Sequence, residues 1–246
     1  MEKITSAKNQ KIKQWKKLHS IKGRKESNQY VIEGEHLYLE AVKSKMKLDT
    51  VIVTEKFLEK VHSVHLEKAI LVTEEVMNAL SQTETSQGIF CVLEIPERHL
   101  PENFKGKFVL LDGVQDPGNA GTIVRTADAA GFDGVLFGNG SVDPYNDKVV
   151  RSMQGSQFHI PIYRGNISDI VNEFEFIYGT ALDKTAKDYR DVAKTDNIAI
   201  ILGNEGNGVS PSVLSATTHN LYIPIIGQAE SLNVAIAGGI LMYYFI

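Results

Sequence analysis

Three loops in the second half of the sequence place polar side chains beside glycines, each directly after a short apolar run. The first loop lies within residues 110 to 132, where a buried strand ends at Asp112, a turn contains Asn119, and a helix that carries Arg125 follows. A glycine-containing turn that opens a helix is suited to bind an anion through main-chain N–H groups. However, the loop lacks the G-x-G-x-x-G dinucleotide pattern, and Asn119-Ala120 stand where a P-loop requires Lys and then Ser or Thr. By itself, this loop favours an ordinary strand–turn–helix unit with a surface arginine.

The other two loops add a carboxylate, a hydroxyl and an amide. Residues 201 to 210 end an apolar run in glycines that alternate with Asn204 and Glu205, so the backbone is expected to turn tightly there. Residues 221 to 240 place Ser231 and Asn233 where an apolar helix begins, and Ser231 is predicted as its N-cap. The Asn233 amide must then find hydrogen-bond partners, because leaving it unpaired costs about 1–3 kcal/mol.

Regularly alternating elements are predicted to position these loops. Helices are expected at about 120 to 131 and 146 to 154, between six apolar strands at 108–111, 134–137, 160–163, 176–179, 199–202 and 221–224. Such alternation predicts a parallel sheet with helices on both faces. Because ligands of these sheets bind at the carboxyl ends of the strands, the three loops are where chemistry is expected.

The first half of the chain is predicted to be a smaller α/β region. Helices are expected at 6 to 18 and 34 to 45, with strands at 50–54, 69–72 and 88–93. A stretch rich in proline and charge, residues 94 to 107, separates the two halves.

The composition of the 246 residues is that of an ordinary globular protein, with 43% hydrophobic and 23% charged residues. The single cysteine, Cys91, allows no internal disulfide, which favours a reducing, cytoplasmic compartment. The seven histidines are scattered, so no metal site is predicted. The apolar run 232 to 246 is shorter than the about 20 residues that span a membrane, and it indicates a core or interface helix.

Basic residues are concentrated at the N-terminus. Residues 1 to 25 hold nine Lys and Arg against one acid, although the whole chain has a net charge of −4. This excludes a uniformly basic nucleic-acid binder but not one basic face on an acidic protein. In the first predicted helix, lysines surround an apolar seam that includes Trp15. Both a solvated helix face and a phosphate-contacting face fit this pattern.

Taken together, the loops resemble the three motifs of the SpoU family of RNA ribose 2′-O-methyltransferases, within the SPOUT superfamily. Asn119, Gly121 and Arg125 match N-x-G-x-x-x-R, and Gly203, Glu205 and Gly208 match G-x-E-x-x-G. Ile223 and Pro224, followed by the run 231 to 234, match I-P and S-L-N-V; Arg151-Ser152 and Gly155-Ser156 are a looser match between the first two motifs. Ala235 stands where the family usually has serine.

The resemblance covers the whole chain and implies its organisation. Residues 1–95 resemble the RNA-substrate-binding domain often fused to this family, which is similar to small ribosomal proteins; residues 96–106 are a linker, and 107–246 the methyltransferase domain. The resemblance implies a deep trefoil knot in that domain, S-adenosylmethionine as cofactor and a homodimer. The expected fold class is therefore α/β, a knotted parallel sheet preceded by a smaller α/β domain.

The resemblance also implies roles for individual residues. The expected catalytic set is Asn119, Arg125, Glu205, Ser231 and Asn233; the cofactor set is Gly203, Asn204, Gly208, Ile223 and Leu232; the RNA-contacting set is Lys8, Lys11, Lys16, Lys17 and Arg24. Arg125 is expected to clamp a phosphate and stabilise the developing alkoxide, since a guanidinium has no lone pair with which to act as a base.

The expected activity is methylation of a ribose 2′-hydroxyl in structured RNA, ribosomal RNA rather than transfer RNA. The alternative is a ribosome-assembly protein that binds RNA and keeps the fold without methylating. A nucleotide-binding oxidoreductase is disfavoured by the absent fingerprint.

Overall fold

A computed structural model describes residues 1–181 and 185–246. The chain divides into two compact units. Unit 1 comprises Met1–Glu97 and Tyr145–Phe158, and unit 2 comprises Arg98–Pro144 and His159–Ile246.

The described residues form short strands and helices that alternate along the chain. The strands are β1 (Glu2–Ile4), β2 (Gln29–Glu33), β3 (Leu48–Val53), β4 (Ala69–Val72), β5 (Ile89–Glu94), β6 (Lys107–Asp112), β7 (Gly134–Phe137), β8 (Ile162–Arg164), β9 (Phe176–Thr180), β10 (Lys187–Asp188), β11 (Ile198–Gly203) and β12 (His219–Tyr222). The helices are α1 (Gln10–Lys17), α2 (Ile21–Ser27), α3 (Glu35–Lys43), α4 (Glu55–Leu58), α5 (Glu74–Leu80), α6 (Pro117–Ala129), α7 (Asp147–Met153), α8 (Pro211–Leu214) and α9 (Val234–Tyr244). Short 3-10 turns lie at Ser63–Lys68, Ser156–Phe158, Ile167–Asp169, Val171–Glu173 and Tyr189–Asp191.

Unit 1 is built on a five-stranded mixed sheet with the order β1-β4-β3-β5-β2. β4 pairs in parallel with β1 and β3, whereas β5 runs antiparallel to β3 and β2. Helix α1 buries Ile12 and Trp15 in the core of this unit and leaves its lysines exposed, as its apolar seam predicts. It begins later than predicted, at Gln10, because Asn9 caps it by accepting a hydrogen bond from Lys11 N.

The segment 145–158 belongs to unit 1, although the sequence places it between elements of the second half. Helix α7 packs on β2 through buried Val149, Val150 and Met153, and Tyr145 lies against Tyr30 with ring centroids 4.8 Å apart. The predicted domain 107–246 therefore includes a segment that belongs to unit 1, and unit 2 itself begins earlier, at Arg98.

Unit 2 contains a seven-stranded, all-parallel sheet with the order β10-β12-β9-β11-β6-β7-β8. All six residues of the central strand β11 are buried, which explains its uninterrupted apolar sequence. The predicted parallel α/β architecture is confirmed. Phe104, in the stretch predicted as a linker, is 3% exposed and packs with Phe108 and Phe174 in the core of unit 2.

The longest apolar helix, α9, has 11 residues. Within residues 1–181 and 185–246, no helix is long and apolar enough to cross a membrane.

Candidate active site

Glu205 joins the loop after β11 to the loop after β6. These two strands are neighbours in the parallel sheet, so their carboxyl ends lie side by side. Glu205 Oε2 accepts a hydrogen bond from Gln115 N (3.1 Å), and Oε1 accepts from Asp116 N (3.0 Å) and from Asn119 Nδ2 (3.1 Å). One carboxylate thus holds the turn that leads into α6.

Asn233 connects the third loop to the same cluster. It is the N-cap of α9, and its Oδ1 accepts from Ala235 N (2.9 Å) and Ile236 N (3.3 Å). Its Nδ2 donates to Asn119 Oδ1 at 2.9 Å. Asn119 therefore bridges Glu205 and Asn233, and the three loops form one hydrogen-bonded cluster.

The prediction of Ser231 as the N-cap of the last helix is wrong. The helix begins at Val234, and Asn233 occupies the capping position. Ser231 is exposed two residues earlier and forms no hydrogen bond within the described parts of the chain. The amide of Asn233 therefore has hydrogen-bond partners at both ends. Its oxygen caps the helix, and its NH2 group donates to Asn119.

The start of α6 is occupied by carboxylates. Asp116 is the N-cap and accepts from Asn119 N at 2.8 Å, while Glu205 accepts from the main-chain N–H groups of Gln115 and Asp116. Negative charge is stabilised at a helix N-terminus, which accounts for both acids. The N–H groups of Gln115, Asp116 and Asn119 therefore already have carboxylate partners and are not available to a phosphate.

The pKa of Glu205 lies below its ordinary value. Partial burial opposes the charge, but the hydrogen bonds from the Asn119 side chain and from the main chain at Gln115 and Asp116 outweigh it. Glu205 is therefore a carboxylate whose two oxygens are engaged, which suits holding a loop better than accepting a proton.

The glycines of the second loop are required by close packing and backbone conformation. A Cβ on Gly203 would lie 2.1 Å from the carbonyl carbon of Gly208, and Gly208 itself has φ of +70°. Asn204 Nδ2 donates to Gly113 O at 2.9 Å, and its Oδ1 accepts from the N–H groups of Gly206 and Asn207 at 3.0 Å each. The side chain of Asn204 thus fixes its own turn and the neighbouring loop.

Arg125 stands apart from this cluster. It is exposed on α6, about two helical turns beyond Asn119, and its guanidinium forms no hydrogen bond or ion pair with the residues that the structure describes. Its donors are therefore available to an anion. Of the remaining predicted cofactor residues, Ile223 is half-buried and Leu232 is 37% exposed.

The predicted RNA-contacting residues of unit 1 divide into two groups. Lys8, Lys16 and Lys17 are exposed, and Lys11 is exposed but pairs with Glu2 at 2.5 Å. Arg24 contradicts the prediction. It is 1% exposed and its Nη1 donates to Leu18 O at 2.7 Å, so its guanidinium stabilises the fold of unit 1 and is not presented to a phosphate.

The histidines and the cysteine give no further site among residues 1–181 and 185–246. No group of three or more His, Cys, Asp or Glu side chains is arranged to hold a metal ion there. Burial raises the pKa of the Cys91 thiol well above its ordinary value, so Cys91 remains protonated inside unit 1.

Two comparisons of sequence decide the family. Residues 106–243 match the model of the SpoU rRNA methylase family, and residues 9–91 match the MRM3-like substrate-binding domain. The 23S rRNA (guanosine(2553)-2′-O)-methyltransferase RlmP of Bacillus subtilis is 46% identical to this chain, with 99% of each protein aligned. The chain belongs to the SpoU rRNA methylase family.

Solved structures of similar proteins agree with this assignment. An AdoMet-bound rRNA methyltransferase from Sinorhizobium meliloti is 30% identical, with a TM-score of 0.88 over 98% of this chain and 96% of that one. The SpoU methyltransferase AviRb from Streptomyces viridochromogenes, in complex with AdoMet, is 25% identical, with a TM-score of 0.82 over 96% of each chain.

In this SpoU methylase, two residues near the cluster were not singled out from the sequence. Asp116 caps α6, and its signal was an acid directly before a proline, a common start of a helix. Asp112, the last residue of β6, accepts from Ser210 N at 2.7 Å and so ties that strand to the end of the second loop. The sequence offers no comparable signal for Asp112, because its partner is 98 residues away.

Proposed function

We propose that this SpoU methylase transfers a methyl group from S-adenosylmethionine to a ribose 2′-hydroxyl of 23S rRNA. The observation that carries the proposal is the hydrogen-bonded cluster of Asn119, Glu205 and Asn233, in which the three family motifs meet. The RlmP relative, which aligns over nearly the whole chain, acts on guanosine 2553 of 23S rRNA by name, and we propose the equivalent guanosine as the target here.

The loop between β12 and α9 fits the nucleoside part of S-adenosylmethionine. Among the described residues, no main-chain group from Ile223 to Leu232 forms a hydrogen bond, and the loop exposes the apolar side chains of Ile226 and Leu232. A neutral purine and ribose need such main-chain donors and acceptors beside apolar surface, not a charged partner. We assign Gly203, Asn204, Gly208, Ile223 and Leu232 to this binding region, with Asn204 and the glycines acting by shaping the loops.

S-adenosylmethionine supplies a methyl group that its sulfonium already activates. The protein must therefore align the ribose and stabilise the charge that develops on its 2′-oxygen. Arg125 carries available donors, and we propose that it clamps the target phosphate and stabilises the developing alkoxide. The proton passes to phosphate or water, because a guanidinium has no lone pair and both oxygens of Glu205 already accept hydrogen bonds that hold the turn.

The remaining members of the catalytic set have different tasks. Asn119, Glu205 and Asn233 are positioning residues, since their polar atoms bind one another and the main chain. Ser231 is exposed at the end of the cofactor loop, where its hydroxyl is available to orient the ribose.

Substrate selection is assigned to unit 1. Its match to a substrate-binding domain and the exposed lysines of α1 support RNA binding there. We propose residues 1–95 as the substrate-binding domain and residues 107–246 as the methyltransferase domain. The segment 145–158 of the latter folds with unit 1. We propose a cytoplasmic location, because the RlmP relative is a bacterial enzyme named for 23S rRNA.

A homodimer is the proposed assembly. Ile236 and Tyr243 lie seven residues apart on one face of α9 and are 56% and 52% exposed, so a second copy has apolar surface to cover. Sedimentation of the purified protein tests this, and a single species with the mass of one chain at micromolar concentration would contradict it.

The function is tested by methylation of defined RNA. The purified chain is incubated with methyl-tritiated S-adenosylmethionine and either naked 23S rRNA or a precursor of the large ribosomal subunit, and methylated riboses are mapped by primer extension at low nucleotide concentration. We expect one stop at the guanosine equivalent to that of the relative. RNA binding without methyl incorporation into either substrate would support the assembly-factor alternative and refute the proposal.

A further inference from the structure

Ser141 makes two hydrogen bonds to the strand and loop that carry the first motif. It lies after β7, in the loop that follows the neighbouring strand of the sheet. Its hydroxyl donates to Leu111 O at 2.9 Å and accepts from Gly113 N at 3.1 Å. The Ser141 hydroxyl thus acts both as donor and as acceptor, and both of its partners lie where β6 ends and the next turn begins.

Gly113 is held on both sides by side chains. Ser141 binds its N–H, and Asn204 binds its carbonyl oxygen at 2.9 Å. Its φ of +73° is a left-handed conformation that glycine adopts without strain. A further main-chain bond, from Val142 N to Val114 O at 2.9 Å, continues the attachment of the loop.

The two loops also approach each other closely. A Cβ on Gly138 would lie 2.6 Å from Leu111 O, and a Cβ on Gly140 would lie 3.7 Å from the Cα of Gly113. The loop of Ser141 therefore packs directly against residues 111 to 113, and its hydroxyl bonds are made within a tight contact between backbones.

The path from Ser141 to the candidate site is short. Gly113 is fixed by Ser141, and two residues later Gln115 and Asp116 are fixed by Glu205, which also holds Asn119. The turn 113–119 is thus anchored at its beginning by Ser141 and at its end by Glu205. Arg125 follows on the same helix.

We propose that Ser141 is a positioning residue for methyl transfer, acting through Gly113 on the turn that presents Asn119 and Arg125. The inference rests on the proposed function and adds a residue outside the three motifs. Without the hydroxyl, the Gly113 N–H loses its partner and the turn gains freedom at its first residue. Because displacement of reacting groups by about 1 Å costs up to about 100-fold in rate, the loss should affect turnover.

The expected signature separates turnover from binding. Both hydrogen bonds of the Ser141 hydroxyl among the described residues are to main-chain atoms, of Leu111 and of Gly113, so we assign it a role in holding the loop and not in binding substrate. We expect Ser141→Ala to lower kcat by about 10- to 100-fold while KM for S-adenosylmethionine and for RNA stays within about threefold. Ser141→Thr, which keeps the hydroxyl, should restore most of the turnover.

Ser215→Ala is the matched control. Ser215 is an exposed serine of unit 2 that lies between the second and third loops, and its hydroxyl donates to Ser212 O at 2.8 Å. Its replacement also removes one side-chain hydrogen bond, and we expect wild-type kcat. Melting temperatures of all variants are measured beside the kinetics, so that loss of folded protein is separated from loss of turnover.

The outcomes distinguish this inference from the proposed function. Wild-type protein without methyltransferase activity refutes the proposed function; active wild type with an unaffected Ser141→Ala variant refutes only the role of Ser141. A Thr variant as slow as the Ala variant, or a fall in kcat no larger than the fall in folded fraction, also overturns the role. If Ser141→Ala does not fold, amide hydrogen exchange of the wild-type protein tests the role instead. A Gly113 N–H that exchanges at the unprotected rate would contradict its hydrogen bond to Ser141 and overturn the role.

Discussion

Single residues of the candidate site fall into those whose polar groups are engaged and those whose groups are available. Asn119 uses both ends of its amide, Asn233 does the same, and Glu205 accepts with both oxygens. Arg125 has no partner among the described residues. We therefore propose that Arg125 stabilises the negative oxygen, and that the others hold the turn before α6, the helix that carries Arg125.

Replacement of Arg125 by lysine tests this assignment. Lysine keeps the positive charge but loses the planar fork that binds two phosphate oxygens at once. We expect kcat to fall by about 10- to 100-fold across the pH range, with S-adenosylmethionine binding unchanged. Steady-state kinetics and calorimetric titration with the cofactor measure the two quantities.

Arg98→Lys provides the control for Arg125→Lys. Arg98 is an exposed arginine of unit 2 outside the three motifs, so the same exchange there should leave turnover unchanged. An Arg125→Lys variant that keeps the full rate across pH would show that a point charge suffices, and the bidentate clamp would have to be abandoned.

For single residues, the sequence predicts that a polar group must be hydrogen-bonded more readily than it predicts which residue will bind it. An amide at the entrance of an apolar helix requires hydrogen bonds, and Asn233 has them. That its partner is Asn119, 114 residues away, depends on the sheet that brings the loops together, which local patterns do not describe. The sequence predicts an RNA-contacting Arg24 among basic neighbours, but its burial depends on how α2 packs, which the local pattern does not describe.

Among the elements, α9 links the hydrophobic core to the candidate site. Its last residues lie in the core, with Leu241 and Met242 at most 1% exposed, and its first turn is capped by the residue that binds Asn119. A change at the cap is thus expected to affect both the stability of the helix and the order of the loop before it.

Asn233→Ala should show both effects. The variant loses the cap, which is typically worth about 1 kcal/mol, and removes the partner of Asn119. We expect a melting temperature lower by several degrees and weaker binding of S-adenosylmethionine, because the loop 223–232 ends at this residue. Thermal unfolding and calorimetric titration measure the two effects.

Asn146→Ala is the matched comparison for Asn233→Ala. Asn146 caps α7 in unit 1 by accepting from Lys148 N at 3.0 Å, so its loss removes a cap of the same type outside unit 2. It should lower stability without weakening cofactor binding. If both variants bind S-adenosylmethionine as tightly as the wild type, Asn233 does not support the cofactor loop, and the prediction is wrong.

Four strands of unit 2, β6, β7, β9 and β11, lie within one residue of the apolar runs that predict them, and their central residues are buried. β8 and β12 begin two residues away from their predicted positions, and the sequence does not predict the short strand β10. The sequence does not predict that segment 145–158 belongs to unit 1, because its apolar residues would suit the core of either unit. The trefoil knot stays a prediction of the resemblance. Periodicity describes local elements, and general rules of chain topology disfavour knots.

The whole molecule has an uneven distribution of charge that suits binding RNA with one region. Residues 1 to 25 carry nine basic residues, whereas the remainder holds 17 basic and 29 acidic residues. Contact with phosphates through these lysines releases counterions from RNA, so the affinity is expected to fall with salt. Acidic surface elsewhere disfavours other orientations of the bound RNA.

Removal of three lysines tests where this contact lies. In the variant with Lys8, Lys16 and Lys17 replaced by alanine, each lost phosphate contact should reduce the slope of log K against log salt by about 0.7–0.9, which is about 2.1–2.7 for all three. The control variant replaces Lys47, Lys56 and Lys68, three exposed lysines of unit 1, and has the same net charge. Its slope should equal that of the wild type, because counterion release depends on contacts and not on total charge. Filter binding of 23S rRNA fragments over a range of salt concentrations measures both slopes, and equal reductions in the two variants would mean that the α1 lysines attract RNA only through the overall charge.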